Sequence, residues 1–342
     1  MAASKYIPGF LLAILLFVGS INASAVLHKR ASRTSPPSGC LTVRGSGTLS
    51  GEYSTVGAAL SALGSSTAVA CIFIYSGTYN EQLTISYGGN LTVYGYTTNT
   101  GTYTSNTVTI THGINSTTIG LDASSTANIR SANFKAYNVN FANTYGAGVQ
   151  AVAVTANGDQ QGFYGCSFTG YQDTLYAKAG KQYYSNCYIE EYKWKLLTIK
   201  GAVDYIFGNA AAWFGECTIA SNGGGAITAS SRTLATDPGW YVIDSSTITQ
   251  ADGFSLTGKV YLGRPWRVLA RVIFQNSILT DVVNAAGWTT LAPDATPIFM
   301  EYANTGAGSS TSARVFETAA TGTVSKTTLW GSNWASWVDS SY

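Results

Sequence analysis

A six-residue pattern repeats through the middle of the chain, and this repeat limits the folds that the chain can adopt. Aligned on cysteine, each clear copy has a bulky residue, two small or polar residues, a cysteine, any residue and a second bulky residue. The clear copies cover residues 163–168, 184–189 and 214–219. Weaker copies cover residues 136–141, 243–248 and 274–279, so successive copies lie 27, 21, 30, 29 and 31 residues apart. A short strand that recurs at such intervals is typical of a solenoid, and the alternation of its side chains predicts an all-β, parallel β-helix.

The composition agrees with a fold of strands and turns. The chain contains 37 Gly and 22 Tyr, and only 11% of its residues are charged. One helix is predicted over residues 54–63, where a Ser/Thr start precedes an Ala/Leu run that Gly64 ends. We expect this helix to cap the N-terminal end of the β-helix and to cover its exposed edge.

The N-terminus has the features of an export signal. Lys5 precedes an apolar run of nine residues, 10–18, and the small residues 23–25 follow. A membrane anchor is the alternative, but such a helix needs about 20 apolar residues. We therefore predict a signal peptide over 1–25, a short pro-segment over 26–30 that ends in a dibasic pair, and one secreted catalytic domain over 31–342. Asn90 and Asn115 begin tripeptides that can accept N-linked glycans.

The five cysteines could be present as disulfides or as free thiols. Cys166, Cys187 and Cys217 occupy equivalent positions of the repeat, so they should stack about 4.8 Å apart. That spacing permits a disulfide between Cys166 and Cys187, and it equally permits a ladder of buried thiols. Cys40 and Cys71 are a second candidate pair near the N-terminal end.

Histidine is too scarce for several common mechanisms. The chain has two histidines, and only His112 lies beyond the predicted pro-segment. There is no Gly-x-Ser-x-Gly motif for a serine hydrolase and no Cys-x-x-Cys or histidine pair for zinc, so no metal site is predicted. A net charge of +2 without a basic cluster also argues against nucleic acid as a partner. Carboxylates remain as the candidate catalytic groups.

Two aspartates stand out because the repeat should stack them. Asp173 and Asp204 are 31 residues apart, which is one coil of about 21 residues plus ten extra residues. Two neighbouring carboxylates do not both ionise readily, so one keeps its proton and the other becomes a carboxylate. Such a pair supplies a general acid and a nucleophile without histidine. The alternative is that both are turn residues at the corners of coils.

Polar neighbours favour the catalytic interpretation. Gln172 is adjacent to Asp173, and Gln150 lies one coil earlier. From a later coil, Arg264 brings a guanidinium that can hold one carboxylate ionised by a bidentate contact. Trp266 offers a stacking face for a sugar ring, although a single indole can equally be a packing residue.

Taken together, these segments resemble the pectin methylesterases. The matching motifs are Gln-Ala-Val-Ala-Val at 150–154, Gly-Tyr-Gln-Asp-Thr-Leu-Tyr at 170–176, Val-Asp-Tyr-Ile-Phe-Gly-Asn at 203–209 and Leu-Gly-Arg-Pro-Trp at 262–266. Supporting matches lie at 77–81 and 299–304, and the resemblance covers residues 40–338. It implies a single-stranded, right-handed parallel β-helix that acts on cell-wall pectin.

The resemblance also implies a role for each catalytic residue. Asp204 would attack the methyl ester carbonyl of a galacturonate unit. Asp173 would protonate the departing methanol and then activate the hydrolytic water. Gln172 and Gln150 would stabilise the negatively charged intermediate, and Arg264 would hold Asp204 in place.

The substrate would be methyl-esterified homogalacturonan, bound in a groove lined by Trp266, Tyr176 and Phe207. The resemblance implies no metal or organic cofactor and no membrane attachment once the signal is removed, and we expect a monomer. The short dibasic pro-segment is more similar to fungal secreted forms than to plant forms.

The chain departs from the family's pattern between residues 191 and 200. In the family, the segment that corresponds to 187–190 runs directly into the one that begins at Gly201. Here ten residues with three lysines intervene, in a chain otherwise poor in lysine. Three explanations are open: a mistranslated intron, a surface loop that leaves the site intact, or a loop in which Trp194 or the lysines contact pectin.

Two other classes of function compete with the esterase, namely another pectin-active β-helix enzyme and a non-enzymatic wall-binding protein. A pectin-active glycoside hydrolase could use the two aspartates as an acid and base pair. A lyase would need a calcium site of clustered acidic residues, and the sequence has no such cluster. A secreted wall-binding protein could keep the groove without the chemistry.

Overall fold

The repeats stack as the coils of a parallel β-helix. A computed structural model describes residues 31–146, 148–191 and 203–342 of the chain, and all of its strand-to-strand ladders are parallel. This confirms the predicted all-β architecture. The predicted signal peptide, the pro-segment and residues 192–200 of the extra segment lie outside the described residues.

The strands, in chain order, are β1 Leu41–Val43, β2 Ala70–Ile74, β3 Gly77–Asn80, β4 Leu83–Ile85, β5 Leu91–Gly95, β6 Val108–His112, β7 Ala127–Ile129, β8 Phe134–Tyr137, β9 Asn140–Asn143, β10 Val154–Asn157, β11 Gln161–Tyr164, β12 Ser167–Gly170, β13 Leu175–Ala179, β14 Lys181–Ser185, β15 Tyr188–Glu191, β16 Ile206–Gly208, β17 Ala211–Gly215, β18 Thr218–Ser221, β19 Gly225–Ser230, β20 Trp240–Asp244, β21 Thr247–Gln250, β22 Val260–Pro265, β23 Arg271–Gln275, β24 Ile278–Leu279 and β25 Ile298–Tyr302. The α-helices are α1 Val56–Ala62, α2 Ser116–Ile119 and α3 Lys326–Trp330, and 3₁₀ helices cover Tyr103–Ser105, Asp122–Ser124 and Ser332–Ser336.

Three sheets run along the length of the molecule. Over the described residues, a ten-stranded sheet has the order β1-β2-β5-β8-β11-β14-β17-β20-β23-β25, and an eight-stranded sheet has the order β24-β21-β18-β15-β12-β9-β6-β3. The seven-stranded sheet has the order β22-β19-β16-β13-β10-β7-β4 and carries the candidate site. Each coil therefore contributes one strand to each sheet along most of the stack.

The repeat motif forms a corner between two strands, which corrects the single strand expected from sequence. In the copy at 163–168, β11 ends at Tyr164 and β12 begins at Ser167. Between them Gly165 has φ of 57°, and the equivalent residues of the other copies also have positive φ: Asn138, Asn186, Glu216, Ser245 and Asn276. This left-handed residue shifts the alternation, so that Phe163, Cys166 and Phe168 are all buried in the core.

Stacked aromatic rings fill the interior beside these corners. Phe163 and Tyr184 stack with ring centroids 5.0 Å apart, and Tyr184 and Phe214 stack at 4.6 Å. All three side chains are fully buried. The first bulky position of the repeat thus becomes a ladder of rings that holds successive coils in register.

The cysteines of the repeat are buried free thiols, so the Cys166–Cys187 disulfide is wrong and the thiol ladder is correct. Each sulfur instead contacts a backbone carbonyl of the preceding coil: Cys166 Sγ lies 3.5 Å from Ala136 O, and Cys187 Sγ lies 3.4 Å from Phe163 O. Ser246 Oγ makes the equivalent contact with Phe214 O at 3.2 Å. At these copies the position therefore carries a small donor to the preceding coil rather than half of a disulfide. Cys40 and Cys71 do form the second candidate disulfide.

The predicted helix caps the N-terminal coil. Thr55 accepts a hydrogen bond from Ala58 N at the start of α1, and the Glu81 carboxylate accepts bonds from Val56 N and Gly57 N, each 2.8 Å long. Val56 is buried against the core of the β-helix. These contacts explain the match at residues 77–81, because Glu81 satisfies the free N–H groups of the capping helix.

The C-terminal segment covers the outer face of the ten-stranded sheet, which sequence reasoning did not predict. Trp330 of α3 donates from Nε1 to Ala211 O over 2.8 Å, and Asp339 N donates to the hydroxyl of Tyr164 over 2.8 Å. Trp330 and Trp337 are buried against tyrosines of that sheet. No helix among the described residues is long and apolar enough to cross a membrane.

Candidate active site

Asp173 and Asp204 occupy equivalent positions in consecutive coils, as the spacing of the repeat predicted. Each lies two residues before a strand of the seven-stranded sheet, and the register pairs Leu175 of β13 with Ile206 of β16. Both aspartates have left-handed backbones, with φ of 61° and 60°. Leu175 and Ile206 point into the core. In an unbroken strand, each aspartate would point to the same side as the core residue two positions later. The left-handed backbone of the aspartates breaks this alternation, so their carboxylates are not forced to point into the core.

Arg264 holds Asp204 in the bidentate geometry that the sequence suggested. Its Nε donates to Asp204 Oδ1 over 2.8 Å, and its second terminal nitrogen donates to Oδ2 over 2.7 Å. Arg264 lies on β22, in register with Ala229 of β19, which is in turn in register with Phe207 of β16. The guanidinium therefore reaches back across one coil to engage both carboxylate oxygens and fixes their plane.

Asp173 has amide donors instead of a cation in contact. Gln150 donates from Nε2 to Asp173 Oδ2 over 2.7 Å, and the amide of the adjacent Gln172 also acts to lower the pKa of this carboxyl group. Asp173 is only 4% exposed. A carboxyl group in such a position has little access to the water that would stabilise its charged form.

These surroundings separate the proton affinities of the two groups. Burial, together with the nearby Asp204 charge, raises the pKa of Asp173 to about 8, although the two glutamine amides and Arg264 oppose the rise. Burial also raises the pKa of Asp204, but the hydrogen bonds and the charge of Arg264 oppose it directly. Asp173 is thus the group that retains a proton near neutral pH, and Asp204 is the stronger acid.

Two residues that sequence reasoning missed hold Gln150 and its loop. The Ser116 hydroxyl donates to Gln150 Oε1 over 3.4 Å, and Ser116 N donates to Gln150 O over 2.9 Å. Buried Asn143 donates from Nδ2 to the carbonyls of Ile114, Ser124 and Val152, each 2.9 Å away. Ser116 lies in the glycan-acceptor tripeptide that begins at Asn115, and no repeat or motif connects Ser116 or Asn143 with the carboxylates, because that connection depends on how this loop folds back.

Tyr176, Phe207 and Trp266 pack as one aromatic cluster, which we call the aromatic platform. Phe207 is only 2% exposed, so the accessible part of the platform comes from the partly exposed Tyr176 and Trp266. Tyr176 and Phe207 stack with centroids 4.4 Å apart, and Trp266 lies 5.9 Å from Phe207 and 6.4 Å from Tyr176. Tyr176 and Phe207 are paired in the register of β13 and β16, and each lies three residues after one of the two aspartates in the chain. The predicted groove residues are therefore brought together beside the carboxylates.

Other predicted positions lie away from the carboxylates. Asn90 is exposed just before β5, and Asn115 is half-buried, with its Oδ1 accepting a hydrogen bond from Thr117 N over 2.8 Å. Among the residues that the structure describes, no three histidine, cysteine, aspartate or glutamate side chains converge as metal ligands.

Comparison with known proteins gives matches along nearly the whole chain. A family model described as Pectinesterase matches residues 42–330. The chain is 59% identical over 317 residues to the probable pectinesterase A of Aspergillus niger, which covers 92% of this chain and 93% of that protein. It is 57% identical over 333 residues to pectinesterase A of Emericella nidulans, and this match covers 97% of this chain and 98% of that protein.

Solved structures agree with these sequence matches. The crystal structure of the pectin methylesterase from Aspergillus niger, which carries an N-acetylglucosamine stub on an asparagine, matches with a TM-score of 0.86 at 61% identity, over 91% of this chain and 100% of that chain. The pectin methylesterase from carrot matches with a TM-score of 0.74 at 32% identity, over 84% of this chain and 90% of that chain. The chain therefore belongs to the pectinesterase family, whose members are carboxylic ester hydrolases.

Proposed function

We propose that this pectinesterase removes methyl esters from the galacturonate units of pectin through a covalent aspartyl intermediate, giving pectate and methanol. The observation that carries the proposal is the unequal environment of two stacked carboxyl groups. Asp204 receives two hydrogen bonds from Arg264, whereas Asp173 is buried among amide donors. One group is set up as a nucleophile and the other as a proton donor.

In the first step, an oxygen of the Asp204 carboxylate attacks the ester carbonyl carbon. The carbonyl electron pair moves onto its oxygen, and amide N–H groups of Gln172 and Gln150 stabilise the resulting negative charge. As the charge returns to the carbonyl, the bond to the methoxy oxygen breaks. The Asp173 carboxyl group gives its proton to that oxygen, so methanol departs and the galacturonate acyl group remains on Asp204 as an anhydride.

In the second step, the Asp173 carboxylate takes a proton from a water molecule as the water oxygen attacks the galacturonyl carbon. The bond to Asp204 breaks, and its electron pair returns to the aspartate. The product is a galacturonic acid unit, and Asp173 has regained its proton for the next turnover. No redox change or cofactor is needed to balance either step.

The aromatic platform is the proposed sugar-binding surface. The partly exposed rings of Tyr176 and Trp266, which pack against buried Phe207, offer apolar surface beside the reactive carboxylates, which suits the ring of a galacturonate unit. We further propose that the enzyme is secreted after removal of residues 1–25 and 26–30, acts as a monomer and carries a glycan at exposed Asn90.

The direct test is methanol release from highly methylated pectin by variants of the two aspartates. Asp204→Asn should lower kcat by at least about 10³-fold because the nucleophile is lost, and Asp173→Asn should lower it by at least about 10²-fold. Asp252→Asn is the matched control, since Asp252 is an exposed aspartate outside the site. Shortening of the pectin chain would instead support a glycoside hydrolase or lyase. Wild-type protein that binds pectin and releases no methanol would support a wall-binding protein.

A further inference from the structure

An ion pair lies beside the aromatic platform and is not used by the proposed mechanism. Lys178 is on β13, two residues after Tyr176, so both side chains project from the same face of the strand. The Lys178 ammonium group donates to Asp122 Oδ2 and lies 5.5 Å from the centre of the Tyr176 ring. A cation is thus held at the edge of the surface on which we place the sugar chain.

The pair lines an open cleft that continues from the platform. The cleft has a volume of about 310 Å³ and is bordered by Leu121, Asp122, Tyr176 and Lys178. Leu121 and Tyr176 also pack against the buried cluster that contains Phe207, as Trp266 does. The cleft and the platform therefore share a wall, and a polymer lying over the platform has a route into the cleft.

The ion pair between Lys178 and Asp122 is partly exposed to water, which favours an exchange of partners. The side chains of Lys178 and Asp122 are 31% and 37% exposed. Exposed ion pairs contribute little because water screens them. The second carboxylate oxygen of Asp122, Oδ1, is buried and has no hydrogen-bond partner among the described residues. An incoming anion could take Asp122's place on Lys178 at small cost.

The substrate supplies such an anion. Every unit of homogalacturonan that has lost its methyl ester carries a carboxylate, whereas an esterified unit carries no charge. Lys178 lies five residues beyond Asp173 along the chain, and the part of this segment that lies on β13, from Leu175 to Lys178, corresponds to roughly 10 Å of extended strand. Lys178 would therefore contact a different sugar from the one whose ester is attacked.

We propose that Lys178 is a subsite for the free carboxylate of an already de-esterified galacturonate unit, and that Asp122 occupies Lys178 until that carboxylate displaces it. The inference rests on the proposed function, because it places the pectin chain on the aromatic platform. It makes Asp122 a built-in competitor for the substrate anion. Removing Lys178 and removing the Asp122 charge should consequently have opposite effects on the affinity for de-esterified chains.

The test is calorimetric binding of de-esterified oligogalacturonate to the intact protein at low salt. Lys178→Gln should weaken the affinity about two- to fivefold, and Asp122→Asn should strengthen it by a similar factor, the range expected for one exposed ion pair. Both differences should shrink at high salt. Lys135→Gln is the matched control: it removes the same charge from β8 of the ten-stranded sheet, and its affinity should equal that of the wild type.

Lys178→Arg keeps the cation and should retain the affinity, which separates loss of charge from damage to the fold. Unchanged affinity in Lys178→Gln would overturn the subsite. Equal or weaker affinity in Asp122→Asn would overturn the competition. Calorimetry with the de-esterified product needs no turnover, so these outcomes are distinct from a failure of the esterase mechanism, which would appear as missing methanol release.

Discussion

At the residue scale, the chemistry depends on two identical side chains that receive different partners. Arg264 places a fixed charge against both oxygens of Asp204. Asp173 is buried beside amides, which donate hydrogen bonds but bring no full charge. In the proposed mechanism, this contrast lets one carboxyl group act as an acid while its neighbour acts as a nucleophile, without a histidine.

The pH dependence of the reaction should follow from this contrast. Because Asp173 must carry a proton to release methanol and its pKa is about 8, kcat/KM should fall as pH rises above about 8, approaching tenfold per pH unit. At low pH, protonation of Asp204 should remove the nucleophile and lower kcat/KM again. Initial rates of methanol release across the pH range test both limbs. A rate that keeps rising through pH 8 would mean that Asp173 works first as a base.

At the element scale, the position of Arg264 depends on close contact between β22 and β19. Gly263 precedes Arg264 and is in register with Thr228 of β19. A Cβ atom at Gly263 would lie 2.1 Å from the Thr228 hydroxyl oxygen and 3.1 Å from the ring of Trp288. Thr228 is fully buried and donates to Leu262 O over 2.9 Å, so it cannot move away freely.

Gly263→Ala should therefore push β22 away from β19 and shift the guanidinium that holds Asp204. We expect a loss of about 1–3 kcal/mol in the free energy of unfolding, as for other overpacked cores, together with a lower kcat. Gly322→Ala is the control, because a Cβ atom there meets nothing within 4 Å. Denaturant unfolding and methanol release measure the two effects. Equal stability of the two variants would contradict the close contact.

The corners of the coils mark a limit of sequence reasoning at this scale. The spacing of bulky residues predicted that each copy of the repeat would be strand-like and buried. It did not predict the left-handed residue within each copy, because Gly165, Asn186 and Glu216 share a backbone conformation and not a residue type. Only the structure shows that this one residue turns the chain from one sheet to the next.

At the scale of the whole molecule, stacking joins residues that are far apart in the chain. Gln150, Asp173, Asp204 and Arg264 come from four segments, and the order of the seven-stranded sheet brings them together. This part of the site was predictable, because a solenoid with a known repeat fixes which residues are neighbours. Ser116 and the Lys178–Asp122 pair were not, because Ser116 begins α2 and Asp122 begins a 3₁₀ helix in the connection between β6 and β7, outside the repeat.

The register of the stacked coils shows where the extra residues of the chain lie. The register pairs Val154 with Leu175 and Leu175 with Ile206, so the first coil spans 21 residues and the second spans 31. The next coil, from Ile206 to Thr228, returns to 22 residues. The additional length thus falls between β15 and β16, while the strands on either side of it keep the spacing of the β-helix.

The most direct measurement is chemical trapping of the acyl group on Asp204. Hydroxylamine added during turnover of methylated pectin should attack the anhydride at either carbonyl. Attack at the Asp204 carbonyl releases the galacturonate and leaves Asp204 as an inactive hydroxamate, whereas attack at the galacturonyl carbonyl gives a galacturonyl hydroxamate and frees Asp204. Peptide mass spectrometry should find the protein hydroxamate at Asp204 and not at Asp173, and it should be absent when fully de-esterified polygalacturonate replaces the ester. An enzyme that turns over methylated pectin in hydroxylamine and forms neither the Asp204 hydroxamate nor more galacturonyl hydroxamate than the Asp204→Asn variant would contradict the covalent aspartyl mechanism.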